Sequence, residues 1–154
     1  MGLGLFGISS GGNVSLLTAA QGGDGNAAAE DPVDRQDDRV GAVACFYPPT
    51  DLLNFGEPGK VWLPFRGPED TGDDAALARA HSPVTHFTHA MPPTLLIHGD
   101  ADEQVPIQQS QAAHERLTAL GVTARFEHRA GRAHGWPDMS AEYALCAEWF
   151  DTHI

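Results

Sequence analysis

Residues 7–11 read Gly-Ile-Ser-Ser-Gly and stand between a short apolar run, residues 3–6, and a stretch with helical character. A serine that lies between glycines at a tight strand-to-helix turn has its hydroxyl exposed to a substrate. We therefore interpret Ser9 as a candidate nucleophile. Room around it is expected from Gly7, Gly11 and Gly12. Taken alone the pattern is a weak indicator, because an ordinary glycine-serine turn also produces it.

Two later segments follow in the order serine, acid, histidine. Residues 95–106 form an apolar run that ends in a turn with three carboxylates, Asp100, Asp102 and Glu103. Residues 131–136 place His134 between small residues in a loop. An imidazole titrates near neutral pH and can take the proton of a serine hydroxyl, while a carboxylate holds the imidazole in the required tautomer. We assign His134 as the general base and acid, with its carboxylate partner in the turn.

The pattern of apolar runs predicts an α/β fold with about four parallel strands flanked by helices. We expect strands at residues 3–6, 40–46, 94–98 and 123–128. Helices are expected at residues 10–20, 108–120 and 140–152, the last with Ser140 as its N-cap. Residues 24–39 read as a polar loop, and residues 53–93 have no sustained helical periodicity.

Over nearly its whole length the chain resembles the α/β-hydrolases, in particular the feruloyl-esterase-like and hormone-sensitive-lipase-like carboxylesterases. The resemblance is carried by residues 6–13, 46–52, 98–106 with Gln109 and Ser110, and 133–135. It assigns the orienting acid to the residue three before Val105, which is Asp102 rather than Asp100. Peptidases of the prolyl-oligopeptidase type share the later segments, but an aromatic residue usually follows their serine where this chain has Ser10.

The resemblance also implies that residues 1–154 form one domain that corresponds to the C-terminal half of the fold. The backbone N–H of Ser10 would then be one oxyanion donor, whereas the HGG loop that supplies the second donor in the family is not found before Ser9. We therefore expect weak activity. The strand at residues 3–6, internal in the family, would become an edge, which predicts a homo-oligomer or a partner along it.

Composition narrows the choice of partners. The net charge of −12 argues against nucleic acid, whose phosphates need basic patches. No apolar run reaches the ~18 residues of a membrane span, and we expect a cytoplasmic protein with no cofactor. Cys45 and Cys146 are expected to be free thiols. The acids of residues 67–74 lack the spacing of a calcium loop, so we expect no metal site.

Three functions remain open at this point. The first is a serine carboxylesterase that acts on small carboxylic esters through Ser9, His134 and Asp102. The second is a serine peptidase of the prolyl-oligopeptidase type, and the third is a folded remnant without catalysis. Trp62 and Trp136 are candidate substrate contacts, although each is also consistent with ordinary packing.

Overall fold

The computed structural model describes residues 2–67 and 72–154. Within these residues four strands and four α-helices alternate, and a short 3-10 helix follows the second α-helix. The strands are β1 Gly4–Ile8, β2 Ala42–Phe46, β3 Thr94–Gly99 and β4 Ala124–Arg129. The helices are α1 Ser10–Gln21, α2 Asp74–Ala80, α3 Gln108–Ala119 and α4 Ser140–His153, and a short 3-10 helix spans Pro83–Thr85.

All four strands pair in parallel in the order β1-β2-β3-β4. This confirms the predicted fold class. Helices α1 and α3 pack on one face of the sheet, where Leu16 and Leu117 meet Cys45 and Leu96. Helix α4 packs on the other face, where Trp149 belongs to the same buried cluster as the strand residues. Every residue of β2 and β3 is buried, because both faces of the central strands are covered.

The parallel arrangement brings the carboxyl ends of the strands to one edge of the sheet. Gly7 of β1 is in register with Cys45 of β2, and His98 of β3 is in register with His128 of β4. Ser9 follows β1 directly, and the loops after β3 and β4 begin at the same level. In open α/β sheets this edge is where ligands bind, so the topology directs all three candidate segments to one place.

Two details differ from the sequence prediction. Helix α2 was not expected, because seven residues are too few for a clear periodicity; Asp73 caps it by accepting from the N–H of Ala75 and Ala76. Ser140 is not the N-cap of α4 but its first residue, since Asp138 accepts from both the N–H and the hydroxyl of Ser140. Four residues of the predicted acidic turn at 67–74, residues 68–71, lie outside the described part.

The N-terminal edge of the sheet carries exposed apolar side chains. Beside β1, Leu3 is 58% exposed, and within the strand Phe6 is 44% and Ile8 38% exposed. Both cysteines are buried and free. Across residues 2–67 and 72–154 the longest apolar helix falls short of what a membrane crossing requires.

Candidate active site

The turn between β1 and α1 holds Ser9 in a strained conformation. Its φ of 54° and ψ of −121° are rare for a residue with a side chain, and such strain is typical of functional sites. The backbone is held there because the N–H of Ser9 donates to the carbonyl of Phe46 (2.9 Å) and its own carbonyl accepts from Gly12 (2.9 Å). Although Ser9 is the N-cap of α1, its hydroxyl makes no capping bond, so it is available to another partner.

The three glycines of the turn differ in how much space a side chain would have at their positions. A Cβ at Gly7 would overlap the backbone of Gly11 and Gly12, and a Cβ at Gly12 would lie 2.9 Å from the Cβ of Pro48. The turn therefore needs glycine at both positions. A Cβ at Gly11 would have no atom within 4 Å of it. The expectation that Gly11 also provides room was wrong, because this residue faces outward.

The turn after β3 holds Asp102 rigidly. Its side chain is fully buried, and its Oδ1 accepts from the N–H of Gln104 and of Val105, each at 2.9 Å. Asp100 lies apart from this carboxylate. It accepts from the N–H of Gly131 (2.6 Å) and lies 2.8 Å from His128 Nε2, which ties the β3 turn to the β4 turn.

His134 joins the other two side chains. Its Nδ1 lies 2.7 Å from Asp102 Oδ2, and its Nε2 lies 2.9 Å from Ser9 Oγ. A carboxylate only accepts, so Nδ1 carries the proton and Nε2 presents a lone pair to the serine hydroxyl. The imidazole is 15% exposed at its side chain, which leaves it accessible from one side. The structure thus brings Ser9, His134 and Asp102 together, over sequence separations of 125 and 32 residues.

The ring of Tyr47 packs against the imidazole of His134, and Tyr47 was not predicted as part of the site. Its ring centroid lies 4.3 Å from that of His134, and the residue is only 5% exposed. Its φ of 37° makes it, with Ser9, one of two non-glycine residues with positive φ in the described chain. Burial raises the pKa of Tyr47, so its hydroxyl stays protonated.

An apolar cavity of about 370 Å³ lies next to Ser10. Asn13 holds its walls together, because its Nδ2 donates to the carbonyls of Pro49 (2.9 Å) and His81 (3.1 Å). Trp62 lines this cavity and stacks on Phe55 with ring centroids 4.2 Å apart. The other residues around the cavity are Val14, Leu17, Leu52, Pro64 and Phe65.

Trp136 occupies a different place. It is absent from the cavity lining and packs instead against the core cluster under α4, with its ring 6.4 Å from that of Tyr47. Of the two tryptophans singled out from the sequence, only Trp62 therefore faces a cavity beside the serine turn.

The start of α1 points backbone N–H groups toward the same region. The first N–H groups of a helix have no intrahelical acceptor, and Ser10 is the first residue of α1. The helix dipole adds partial positive charge there. Within residues 2–67 and 72–154 no group of three or more His, Cys, Asp or Glu side chains could hold a metal ion.

Known proteins resemble this chain in sequence and in fold. The esterase LipQ of Mycobacterium tuberculosis is 27% identical over 141 residues, which are 89% of this chain and 33% of the relative. An acetyl ester-xyloside bifunctional hydrolase from Caldicellulosiruptor lactoaceticus superposes with a TM-score of 0.78 at 25% identity, over 97% of this chain and 56% of that one. The chain therefore spans a third to little more than half of these relatives.

A thermophilic esterase from the Planctomycetes species Thermogutta terrifontis, solved with butyrate bound, has the same fold. Its TM-score is 0.67 at 23% identity, over 97% of this chain and 54% of that one. These neighbours confirm the α/β-hydrolase fold that the motifs indicated. The sequence profile of the BD-FAE family matches residues 2–117, which is well over half of the chain. The protein belongs to the BD-FAE family.

Proposed function

We propose that this chain is a serine carboxylesterase. Ser9 is the nucleophile, His134 the general base and acid, and Asp102 the orienting carboxylate. One observation carries the proposal: an unbroken line of hydrogen bonds from Ser9 Oγ through His134 to Asp102, at 2.9 and 2.7 Å. The half-buried, strained serine and the buried carboxylate have the features that this chemistry needs. Relatives that are named esterases support the same reaction.

The reaction would proceed in two halves through an acyl-enzyme. Ser9 Oγ attacks the ester carbonyl while its proton passes to His134 Nε2, and the alcohol leaves with that proton. Water then gives its proton to His134 and attacks the acyl-enzyme, which releases the acid and returns the proton to Ser9. Asp102 stays ionised throughout and stabilises the imidazolium that forms in each half.

The oxyanion would be bound by the N–H of Ser10 at the start of α1, in line with the helix dipole. Removal of one oxyanion donor costs about 10²–10³ in rate, so we expect catalysis to depend strongly on this N–H.

Labelling with a fluorophosphonate tests this function, because only an activated serine reacts. We expect the wild type to be labelled at Ser9, Ser9→Ala to stay unlabelled, and His134→Ala to be labelled far more slowly. Hydrolysis of p-nitrophenyl esters over matched amides separates an esterase from a peptidase of the prolyl-oligopeptidase type. Equally poor labelling of wild type and His134→Ala would indicate the folded remnant without catalysis.

The substrate would be a small carboxylic ester whose apolar part enters the cavity beside Ser10. Its volume of about 370 Å³ suits a short chain, and Trp62 forms part of its wall. The butyrate bound to the Thermogutta esterase is a short-chain carboxylate. Because each buried methylene contributes about 0.8 kcal/mol, a lost wall should weaken the preference for longer chains.

Trp62→Ala tests this assignment against Trp136→Ala, a matched change outside the cavity lining. We expect Trp62→Ala to lower the ratio of kcat/KM for p-nitrophenyl hexanoate over acetate about tenfold, since the cavity opens to water. Trp136→Ala should leave that ratio unchanged, whatever it does to the absolute rate. A ratio that falls equally in both variants contradicts the assignment.

Association along the edge strand stays a prediction. The edge is apolar, with Leu3, Phe6 and Ile8 partly exposed, and an open strand edge can pair with another chain. Static light scattering at high concentration measures the mass directly. A strict monomer contradicts the prediction.

A further inference from the structure

His98 is a buried histidine that contacts Asp102 of the candidate site. It lies in β3, is 0% exposed, and both ring nitrogens have partners. Nδ1 lies 2.8 Å from Ser110 Oγ, and Nε2 lies 2.9 Å from the carbonyl oxygen of Val105. The same Nε2 lies 3.3 Å from Asp102 Oδ2, the oxygen that also meets His134.

These partners determine the tautomer of His98. The carbonyl of Val105 and the carboxylate of Asp102 can only accept, so Nε2 carries the proton. Burial lowers the pKa of His98, which keeps the ring neutral and leaves Nδ1 as an acceptor. Nδ1 then accepts from the hydroxyl of Ser110, which is itself fully buried. Ser110 thus anchors the His98 ring through the nitrogen that faces away from the acid.

The Asp102 carboxylate therefore has partners at both of its oxygens. Asp102 Oδ1 accepts two backbone N–H groups. Oδ2 lies between two imidazoles, 2.7 Å from Nδ1 of His134 and 3.3 Å from Nε2 of His98. The proton on Nε2 also donates to the carbonyl of Val105, at 2.9 Å. Without His98, Oδ2 would be held only by His134, the group that it orients. The second imidazole opposes rotation of the carboxylate about its Cβ–Cγ bond.

We propose that His98 is a positioning residue that holds Asp102 Oδ2 on the Nδ1–H of His134, with Ser110 anchoring the His98 ring at Nδ1. Its effect on ester hydrolysis rests on the function proposed above, whereas its effect on the His134 proton does not. His98 touches no substrate and acts only through Asp102. His98 lies in β3, and Asp102 follows four residues later in the turn after that strand.

The experiment follows the Nδ1–H proton of His134 by NMR in 15N-labelled protein, assigned by its loss in His134→Ala. We expect a sharp, slowly exchanging downfield resonance in the wild type. In His98→Met, which has no donor, exchange with water should become at least about tenfold faster, because a freed carboxylate releases this proton. His98→Gln carries an N–H at the position of Nε2 and should restore slow exchange.

Kinetics provide the second measurement. We expect His98→Met to lower kcat about tenfold with KM unchanged, and His98→Gln to recover most of the loss. Thr94→Ala is the matched control, a buried polar residue at the other end of β3. It should lower stability without changing the exchange of the His134 proton or kcat.

Unchanged exchange in a folded His98→Met, or equal exchange in His98→Met and His98→Gln, would overturn the proposal. If His98→Met does not fold, Ser110→Ala decides, since it keeps the ring but removes the hydrogen bond that anchors it at Nδ1. Exchange should then be faster than in wild type, and wild-type exchange overturns the proposal. A protein that hydrolyses no ester but loses the protected proton in His98→Met refutes the esterase function while the positioning role stands.

Discussion

Asp102→Asn is expected to lower kcat for ester hydrolysis about 10⁴-fold, while the fold is retained. The Asn amide would offer an N–H to His134 Nδ1, which now donates to Asp102 Oδ2 at 2.7 Å. The imidazole would therefore adopt the other tautomer, with its proton on Nε2. In that form Nε2 can no longer take the proton of Ser9, so the nucleophile is not activated.

Asp100→Asn is the matched control, two residues away in the same turn. Its Oδ1 accepts from the N–H of Gly131, and an Asn side chain keeps that oxygen. We expect its kcat to stay within about threefold of wild type, as for ordinary exposed positions. Initial rates on p-nitrophenyl acetate and urea denaturation of both variants make the comparison. Equal losses in the two variants would mean that the acid is misassigned.

The positions of the three candidate residues could be predicted because parallel strands end at a common edge. Each of Ser9, Asp102 and His134 follows a strand that the sequence makes recognisable, β1, β3 and β4. Once the strands are parallel and adjacent, their loops must meet. The choice of Asp102 over Asp100 came from a family pattern rather than from the fold, and the distances agree with it.

What could not be predicted depends on contacts between distant residues. Tyr47 lies under His134 only because β2 ends at the level of Ser9, and nothing within residues 46–52 indicates that contact. His98 reads as one of eight histidines until its distances to Ser110 and Asp102 are known. Tautomers are set by partners in space, and a single sequence does not contain them.

Local signals failed where two of them competed. Ser140 is a good capping residue, but Asp138 lies two residues earlier and binds its N–H and hydroxyl, which shifts the start of α4. Helix α2 has its cap in Asp73, yet only seven residues follow before His81 ends it. Capping signals are therefore informative only together with a periodic apolar face, which α2 is too short to display.

Two glycines of the serine turn are expected to respond to substitution with opposite signs. Gly7→Ala should destabilise the protein by about 3 kcal/mol, because its Cβ would overlap the backbone of Gly11 and Gly12. Relief requires the start of α1 to move, and Ser9 would move with it away from His134. Fluorophosphonate labelling of Gly7→Ala should therefore also be slow.

Gly11→Ala should stabilise the protein by about 0.5–1 kcal/mol. No atom lies within 4 Å of a Cβ at this helical position, and alanine reduces the conformational entropy of the unfolded chain. Urea denaturation followed by the fluorescence of the three tryptophans measures both changes. Destabilisation by both substitutions would show that the turn is crowded at Gly11 as well, and that the strain at Ser9 is shared along the start of α1. Opposite signs would localise the crowding to the β1 side of Ser9, where the backbone of α1 closes over Gly7.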